Sequence, residues 1–196
     1  MNIANKVTIS RIVLTFVFMF FLFSKGVVFK SLALITFIVA SCTDFLDGYL
    51  AKIRNEKSDL GKFMDPIADK VLILAAFLAF VEMKLVPAWI VVIIVLREFM
   101  ITGLRFIALT KGKIIEADMI GKHKTVSQML SIYVILLFIL FKDSGTGVFD
   151  FWNVGWERVH KESIFYLMVI TAILTVISGI SYLVKNEKYF RSEKNC

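Results

Sequence analysis

Residues 44–70 read DFLDGYLAKIRNEKSDLGKFMDPIADK, a polar stretch that lies between long hydrophobic runs. It contains two pairs of aspartates, Asp44 with Asp47 and Asp65 with Asp69. Residues three or four apart share one face of a helix, so each pair can direct its carboxylates the same way. Acids within a membrane cost roughly 2.5–3.5 kcal/mol each on insertion scales, and they therefore indicate a functional site.

The four carboxylates favour a divalent metal ion. Acids that converge repel one another unless a cation lies among them. Carboxylates without neighbouring His or Cys suit hard ions such as Mg²⁺ or Mn²⁺. We therefore expect a metal-assisted phosphoryl-transfer site in this stretch.

The composition indicates an integral membrane protein. Of the 196 residues, 58% are hydrophobic, whereas soluble domains have about 45–50% apolar residues. The net charge of +7 is explained by basic residues that flank membrane spans and meet anionic lipid, so nucleic acid is not expected as a partner.

Six hydrophobic runs predict an all-α bundle of six transmembrane helices, with a polar active-site cavity that faces the cytoplasm. Runs of about 20 residues match a hydrocarbon core of about 30 Å. The predicted spans cover residues 7–23, 31–50, 67–81, 88–109, 126–141 and 163–184. We find no repeat, and we expect a single domain over residues 1–196.

Two boundaries between these spans carry local signals. Asp65 followed by Pro66 predicts the start of the third helix, because Asp caps a helix and Pro fits the first helical position. Gly61 is expected to support the turn before it. Residues 142–162 are expected to form a hydrophilic connector with Trp152 and Trp156 as interfacial anchors.

Lysine and arginine are divided unequally between the two sides of the predicted bundle. One side collects the basic residues of the N-terminus, of residues 52–62, of residues 111–124 and of the C-terminal tail. The other side has only Lys25, Lys30, Lys84, Lys142, Arg158 and Lys161. The positive-inside rule therefore predicts a multi-pass protein of the cell membrane, with both termini and the aspartate stretch in the cytoplasm.

The spacing of the stretch is D-x2-D-G-x2-A-K-x8-G-x3-D-x3-D, running from Asp44 to Asp69. It closely resembles the signature of the CDP-alcohol phosphotransferases, integral membrane enzymes of phospholipid synthesis. All four acids, both glycines and the alanine match with their intervals intact. The family has Arg where this chain has Lys52, with Arg54 two residues on. Lysine keeps the charge but loses the planar fork that binds phosphate through two hydrogen bonds.

Three further segments resemble family members that use a phosphorylated glycerol. They are N-K-V-T-I-S-R (residues 5–11), R-E-F-M-I-T-G-L-R (97–105) and I-G-K-H-K-T (120–125). This resemblance, over about the first two-thirds of the chain, implies transfer of the phosphatidyl group from CDP-diacylglycerol to glycerol 3-phosphate, giving phosphatidylglycerophosphate and CMP. It also implies a possible homodimer.

The resemblance assigns roles to particular residues. Two metal ions can stabilise both the attacking and the leaving oxygen of such a transfer, and the expected ligands are Asp44, Asp47, Asp65 and Asp69. Asp69 is also the expected general base. The expected contacts to the cytidine diphosphate are Gly48, Ala51, Lys52 and Gly61. The expected contacts to glycerol 3-phosphate are Thr8, Arg11, Arg97, Arg105, Lys122 and Lys124.

Simpler interpretations of the basic residues stay open. Arg97 and Arg105 are eight residues apart, near two helical turns, so both can face one cavity, and guanidinium groups suit phosphate. Arg97 can instead pair with Glu98, because a buried charge needs a partner in any protein. Arg105, Lys122 and Lys124 can instead be positive charges at the membrane surface.

Two other functions also stay open. A sister enzyme of the same family would use phosphatidylglycerol, serine or inositol phosphate, although residues 97–105 and 121–125 favour a small phosphorylated acceptor. A small cation transporter would line its path with acids. Against transport, the carboxylates cluster at one predicted edge of the membrane, with no matching acidic exit on the far side.

Overall fold

The computed structural model describes the backbone of residues 3–54, 59–110, 119–147 and 154–191, and the side chains of residues 9–43, 70–108, 124–144 and 155–186. This part of the chain forms six α-helices and no strand. The helices are α1 (Ile3–Phe23), α2 (Val27–Arg54), α3 (Asp59–Glu82), α4 (Ala88–Thr110), α5 (Met119–Gly147) and α6 (Val154–Arg191). The predicted all-α class is confirmed.

The third helix starts earlier than predicted. Helix α3 begins at Asp59, so the start at Asp65 and Pro66 is wrong. Pro66 therefore lies inside the helix, where it removes one backbone hydrogen bond. Gly61 consequently lies within the first turn of α3 and not in a turn before it.

The predicted connector over residues 142–162 is mostly helical, which is a second correction. Helix α5 continues to Gly147 and α6 already begins at Val154. Glu157 explains the difference, because it pairs with a lysine of α5 and with one four residues on in α6. Charged residues that pair across and along helices need no loop. Trp156 lies in the first turn of α6, and Trp152 falls outside the described residues.

Short turns join the first two helices and the third to the fourth. Gly26 has a φ of 106°, which suits glycine, and its carbonyl accepts hydrogen bonds from the first turn of α2. Residues 83–87 connect α3 to α4, as predicted, and include Lys84 with a φ of 57°.

One apolar core joins all six helices. Helix α1 packs against α2 and α3, α6 packs against α4 and α5, and α2 and α3 both contact α5. Aromatic rings fill the centre: the Phe37 ring lies 5.5 Å from that of Phe18 and 5.3 Å from that of Tyr133. This packing brings the polar residues of α3, α4, α5 and α6 together.

The outer surface is also apolar. Within the ranges whose side chains are described, two helical segments are long and apolar enough to cross a membrane, Lys124–Ser144 and Gly155–Asn186, and two shorter apolar segments are Ile9–Phe23 and Val27–Thr43. Large apolar side chains are exposed on every described helix, for example Phe16 at 71%. Soluble monomers rarely expose contiguous apolar patches above a few hundred Å². These features indicate a membrane protein.

Candidate active site

The motif aspartates lie on two neighbouring helices. Asp44 and Asp47 belong to the C-terminal part of α2, and Asp65 and Asp69 to the first half of α3, which packs against α2. Their side chains fall outside the described residues, so their roles as metal ligands and base stay predictions. Among the side chains that the structure describes, no three His, Cys, Asp or Glu residues are grouped to hold a metal.

Several other predicted site residues are placed only by their helices. Thr8 lies on α1 and Lys122 on α5. The predicted contacts to the cytidine diphosphate lie in the last two turns of α2 and the first turn of α3: Gly48, Ala51, Lys52 and Gly61. The side chains among these residues also lie outside the described part.

The described polar centre of the bundle is built around Glu98 on α4. We call it the Glu98 cluster, formed by Lys70, Arg97, Glu98 and Lys124. Lys124 on α5 donates a hydrogen bond to Glu98 Oε1, and Arg97 Nη1 lies 3.6 Å from the same oxygen. Lys70 Nζ on α3 lies 3.6 Å from Glu98 Oε2. The carboxylate therefore connects α3, α4 and α5.

The cluster has an excess of positive charge in a low-dielectric setting. The side chain of Lys124 is 6% exposed, that of Arg97 12% and that of Lys70 25%. These three cations share one carboxylate, which also accepts a hydrogen bond from Gln128 Nε2 at 3.3 Å. Buried cations need counter-charge, so the cluster is suited to an additional anion such as a phosphate group.

Lys70 links this cluster to the aspartate motif. Its ammonium group donates to the Glu98 carbonyl at 3.3 Å and to the Thr102 hydroxyl, which in turn donates to the same carbonyl at 2.7 Å. Lys70 immediately follows Asp69 in α3. The excess positive charge therefore lies beside the turn of α3 that carries the predicted base.

Both predicted phosphate-binding arginines of α4 lie against α6. Arg97 Nη2 donates to Ser178 Oγ at 2.7 Å, and the Arg105 guanidinium lies 6.0 Å from the centre of the Tyr182 ring. Arg97 is largely buried, whereas Arg105 is exposed. The structure thus shows the Arg97–Glu98 pair of the simpler interpretation, together with a second anchor on α6.

Lys124 and Arg11 are both buried. The ion pair of Lys124 with Glu98 contradicts the interpretation of this lysine as a membrane-surface charge. Arg11 lies on α1, which packs against α2 and α3, and its backbone carbonyl accepts a hydrogen bond from the Thr15 hydroxyl at 2.9 Å. Neither residue behaves as a solvated surface cation.

Sequence interpretation missed most of the polar partners in this region. It named Glu98 only as a partner for Arg97, and it gave no role to Lys70, Thr102, Gln128 or Ser178. One signal was present: Glu98 is the only acid in residues 88–110. An acid within a hydrophobic span is costly, so it implies several cationic or hydrogen-bonding partners.

Residues 1–177 match the CDP-alcohol phosphatidyltransferase family. The chain belongs to this family. The predicted family is confirmed, and the match extends past the first two-thirds of the chain into α6.

Proteins from several bacteria are similar to this chain over most of its length. A Bacillus subtilis protein is 34% identical over 197 residues, covering 94% of this chain and 95% of its own length, and is named CDP-diacylglycerol--glycerol-3-phosphate 3-phosphatidyltransferase. A protein of the same name from Rickettsia felis is 34% identical over 190 residues, with 96% and 97% covered. A Mycobacterium tuberculosis relative, named probable phosphatidylglycerophosphate synthase, is 32% identical over 187 residues, with 94% and 81% covered.

Proposed function

We propose that this chain transfers the phosphatidyl group from CDP-diacylglycerol to glycerol 3-phosphate, giving phosphatidylglycerophosphate and CMP. A hydroxyl oxygen of glycerol 3-phosphate attacks the lipid-linked phosphorus. A new P–O bond forms, and the bond from that phosphorus to the CMP oxygen breaks, so CMP leaves with the electron pair. Asp69 accepts the hydroxyl proton, a role for which a carboxylate within hydrogen-bond reach is suited.

The Glu98 cluster is the observation that carries this proposal. Glycerol 3-phosphate brings a phosphate of its own in addition to the diphosphate of CDP-diacylglycerol, and the acceptor must therefore be held by cations outside the metal site. Lys70, Arg97 and Lys124 supply an excess of positive charge next to the aspartate-bearing turn of α3. Serine, a zwitterion without a phosphate group, brings no dianion that requires this excess of cations. The names of relatives that cover over nine-tenths of this chain support the same acceptor.

The donor set of the motif fits divalent metal ions, and two ions, Mg²⁺ or Mn²⁺, belong to the proposal. Residues 44–70 contain neither His nor Cys, and oxygen-only ligands are what these ions prefer. Asp44, Asp47, Asp65 and Asp69 would hold them. When bound, the ions would neutralise charge that develops on the attacking and leaving oxygens.

The remaining site residues divide between the two substrates. On α2, Gly48 and Ala51 have little or no side chain and so let the cytidine diphosphate approach the backbone, while Lys52 contributes charge and Gly61 on α3 adds space. The phosphate of the acceptor is held by a polar, mostly basic group that includes the described cations and two residues placed by their helices. Its members are Thr8, Arg11, Lys70, Arg97, Arg105, Lys122 and Lys124.

The proposal includes a topology: one domain over residues 1–196, six helices across the cell membrane, both termini in the cytoplasm and a polar cavity that opens there. The helices have 21 to 38 residues, which at 1.5 Å per residue is enough for a core of about 30 Å. The unequal division of Lys and Arg supports the orientation. A homodimer stays a prediction from the family resemblance.

The test of this function is CMP release by the purified protein in detergent. The assay contains CDP-diacylglycerol, Mg²⁺ or Mn²⁺, and one acceptor at a time: glycerol 3-phosphate, phosphatidylglycerol, serine or inositol phosphate. Release with glycerol 3-phosphate alone is expected, and chelation of the metal should abolish it. Release with another acceptor keeps the family chemistry and refutes the acceptor. No release, combined with metal flux into liposomes, would favour a transporter.

A further inference from the structure

We infer that Ser178 and Gly179 on α6 position the Arg97 guanidinium for the phosphate of the acceptor. This inference rests on the proposed function. It assigns a role to the last part of the chain, since these two residues immediately follow the range that matches the family. Ser178 and Gly179 act through Arg97 and do not touch the substrate, so they are positioning residues.

The contact between α4 and α6 has two parts. The buried Ser178 hydroxyl accepts a hydrogen bond from Arg97 Nη2 at 2.7 Å. Beside it, the buried Gly179 leaves room for the stem of the arginine, because a Cβ atom at this position would lie 3.1 Å from Arg97 Cγ and 3.6 Å from Nε. The hydroxyl therefore fixes the end of the side chain, and the glycine fixes the path of its stem.

Ser178 orients Arg97 without neutralising it. Arg97 Nη1 and Glu98 Oε1 form an ion pair, but their separation of 3.6 Å is too long for a hydrogen bond. Lys124 and Gln128 already donate to that carboxylate oxygen. Among the described residues, the Ser178 hydroxyl is consequently the hydrogen-bond acceptor that sets the orientation of the guanidinium, and because it is neutral the positive charge is retained.

The guanidinium also keeps a donor for a ligand. Arginine has five N–H donors in a planar fork. Arg97 Nε is buried and has no hydrogen-bond partner within the described part of the chain. Nε faces Gly179 at the contact with α6, so the donors that remain for an anion are the Nη N–H groups that are not given to Ser178.

The experiment measures CMP release by the full-length Ser178→Ala variant in detergent. The KM for glycerol 3-phosphate should rise about tenfold, as expected when a hydrogen bond to a charged group is lost. The kcat and the KM for CDP-diacylglycerol should stay within about twofold. Ser178→Thr keeps the hydroxyl and should restore most of the acceptor affinity.

Thr175→Ala is the matched control. Thr175 lies almost one turn earlier in α6 and is fully buried, but its hydroxyl donates to the Thr171 carbonyl of the same helix at 2.7 Å. Thr175→Ala removes a buried hydroxyl whose hydrogen bond stays within α6, so the KM for the acceptor should match that of the wild type. A rise equal to that of Ser178→Ala would mean that general loosening of α6 is the cause and would overturn the inference.

A double-mutant cycle separates positioning from packing. In an Arg97→Ala background, Ser178→Ala should add no further increase in KM, because the side chain it positions is gone. Additive effects would overturn the inference. Should Ser178→Ala fail to fold, Gly179→Ala tests the same point, since the added methyl displaces the Arg97 stem and should raise the KM for glycerol 3-phosphate.

Failure of this inference is distinguishable from failure of the proposed function. A wild-type protein that releases no CMP with glycerol 3-phosphate refutes the proposed acceptor. A wild-type protein that is active with glycerol 3-phosphate, together with unchanged KM values in both Ser178→Ala and Gly179→Ala, refutes only the role of α6.

Discussion

Among the described residues, two acids each form ion pairs with more than one cation. Glu98 lies near the aspartate motif, and Glu157 lies at the other end of the α5–α6 pair. We call the second group the Glu157 cluster: Lys142 and Lys161 lie 2.7 Å and 2.9 Å from Glu157 Oε1. Lys124 and Lys142 are 18 residues apart on α5, which corresponds to about 27 Å along the helix. The two clusters use the same chemistry in different surroundings.

Burial separates the two clusters. Glu157 is 29% exposed and its lysines 40% and 50%, so water screens the pairs and each is worth about 0–1 kcal/mol. Glu98 is 10% exposed, so water screens its ion pairs little, and the neighbouring cations need its carboxylate as counter-charge. Near the Glu157 cluster, an apolar cleft of about 520 Å³ is lined by residues such as Phe138 and Trp156 and is poor in polar groups that could orient a phosphate. An ion pair does not by itself indicate a substrate-binding site, whereas a buried cluster in which cations outnumber acids does.

Removing the predicted general base, Asp69, should have the largest effect on activity. Asp69→Asn keeps the size of the side chain but cannot accept the proton, so we expect turnover to fall about 10³-fold or more with no change in melting temperature. The measurement is CMP release with glycerol 3-phosphate. Asp143→Asn makes the same change on α5 at the Glu157 end, and it should stay within about twofold of the wild type. Substantial activity of Asp69→Asn would refute the assignment of the base.

Removing the acid at the centre of the Glu98 cluster should destabilise the protein. Glu98→Gln leaves Lys70, Arg97 and Lys124 without their shared carboxylate, and breaking a buried ion pair costs about 3–5 kcal/mol. The free energy of unfolding in detergent should fall by about 3 kcal/mol, measured by thermal or denaturant unfolding. A variant as stable as the wild type would show that the buried cations need no counter-charge.

Arg105→Ala should affect binding more than chemistry. Arg105 is exposed, so the loss of one charged contact to the acceptor should raise the KM for glycerol 3-phosphate about fivefold and leave kcat nearly unchanged. Arg158→Ala removes an exposed arginine from the Glu157 end of α6 and serves as the control. An unchanged KM in Arg105→Ala would assign this arginine to the contact with Tyr182 alone.

The Glu157 cluster should tolerate the change that the Glu98 cluster does not. Glu157→Gln should lower the free energy of unfolding by less than about 1 kcal/mol, because both of its ion pairs are exposed to solvent. Activity should stay at the wild-type level. Equal destabilisation by Glu98→Gln and Glu157→Gln would remove the distinction between the two clusters.

Local sequence patterns predicted some elements well and others badly. The fourth helix was predicted at residues 88–109 and lies at Ala88–Thr110, because its apolar run begins directly after a proline. The start of the third helix was wrong because α3 already begins at Asp59 and tolerates Pro66 near its start, at the loss of one backbone hydrogen bond. The connector after the fifth span was wrong because charges at residues 142–161 pair between and within helices. Polarity alone does not distinguish a loop from a paired helix surface.

The all-α class, the family and the aspartate motif followed from residues close together in the chain. Hydrophobic runs and the spacing of four acids within 26 residues carry that information directly. Apart from the Arg97–Glu98 pair, the partners of these two residues did not follow, because they are contributed by residues 26 to 81 positions away. Every buried cation in a helical bundle needs an acid or an acceptor, but which one it finds depends on how the helices pack. That packing placed Lys70 beside Glu98 and Ser178 beside Arg97, and it thereby connected the last helix to the candidate site.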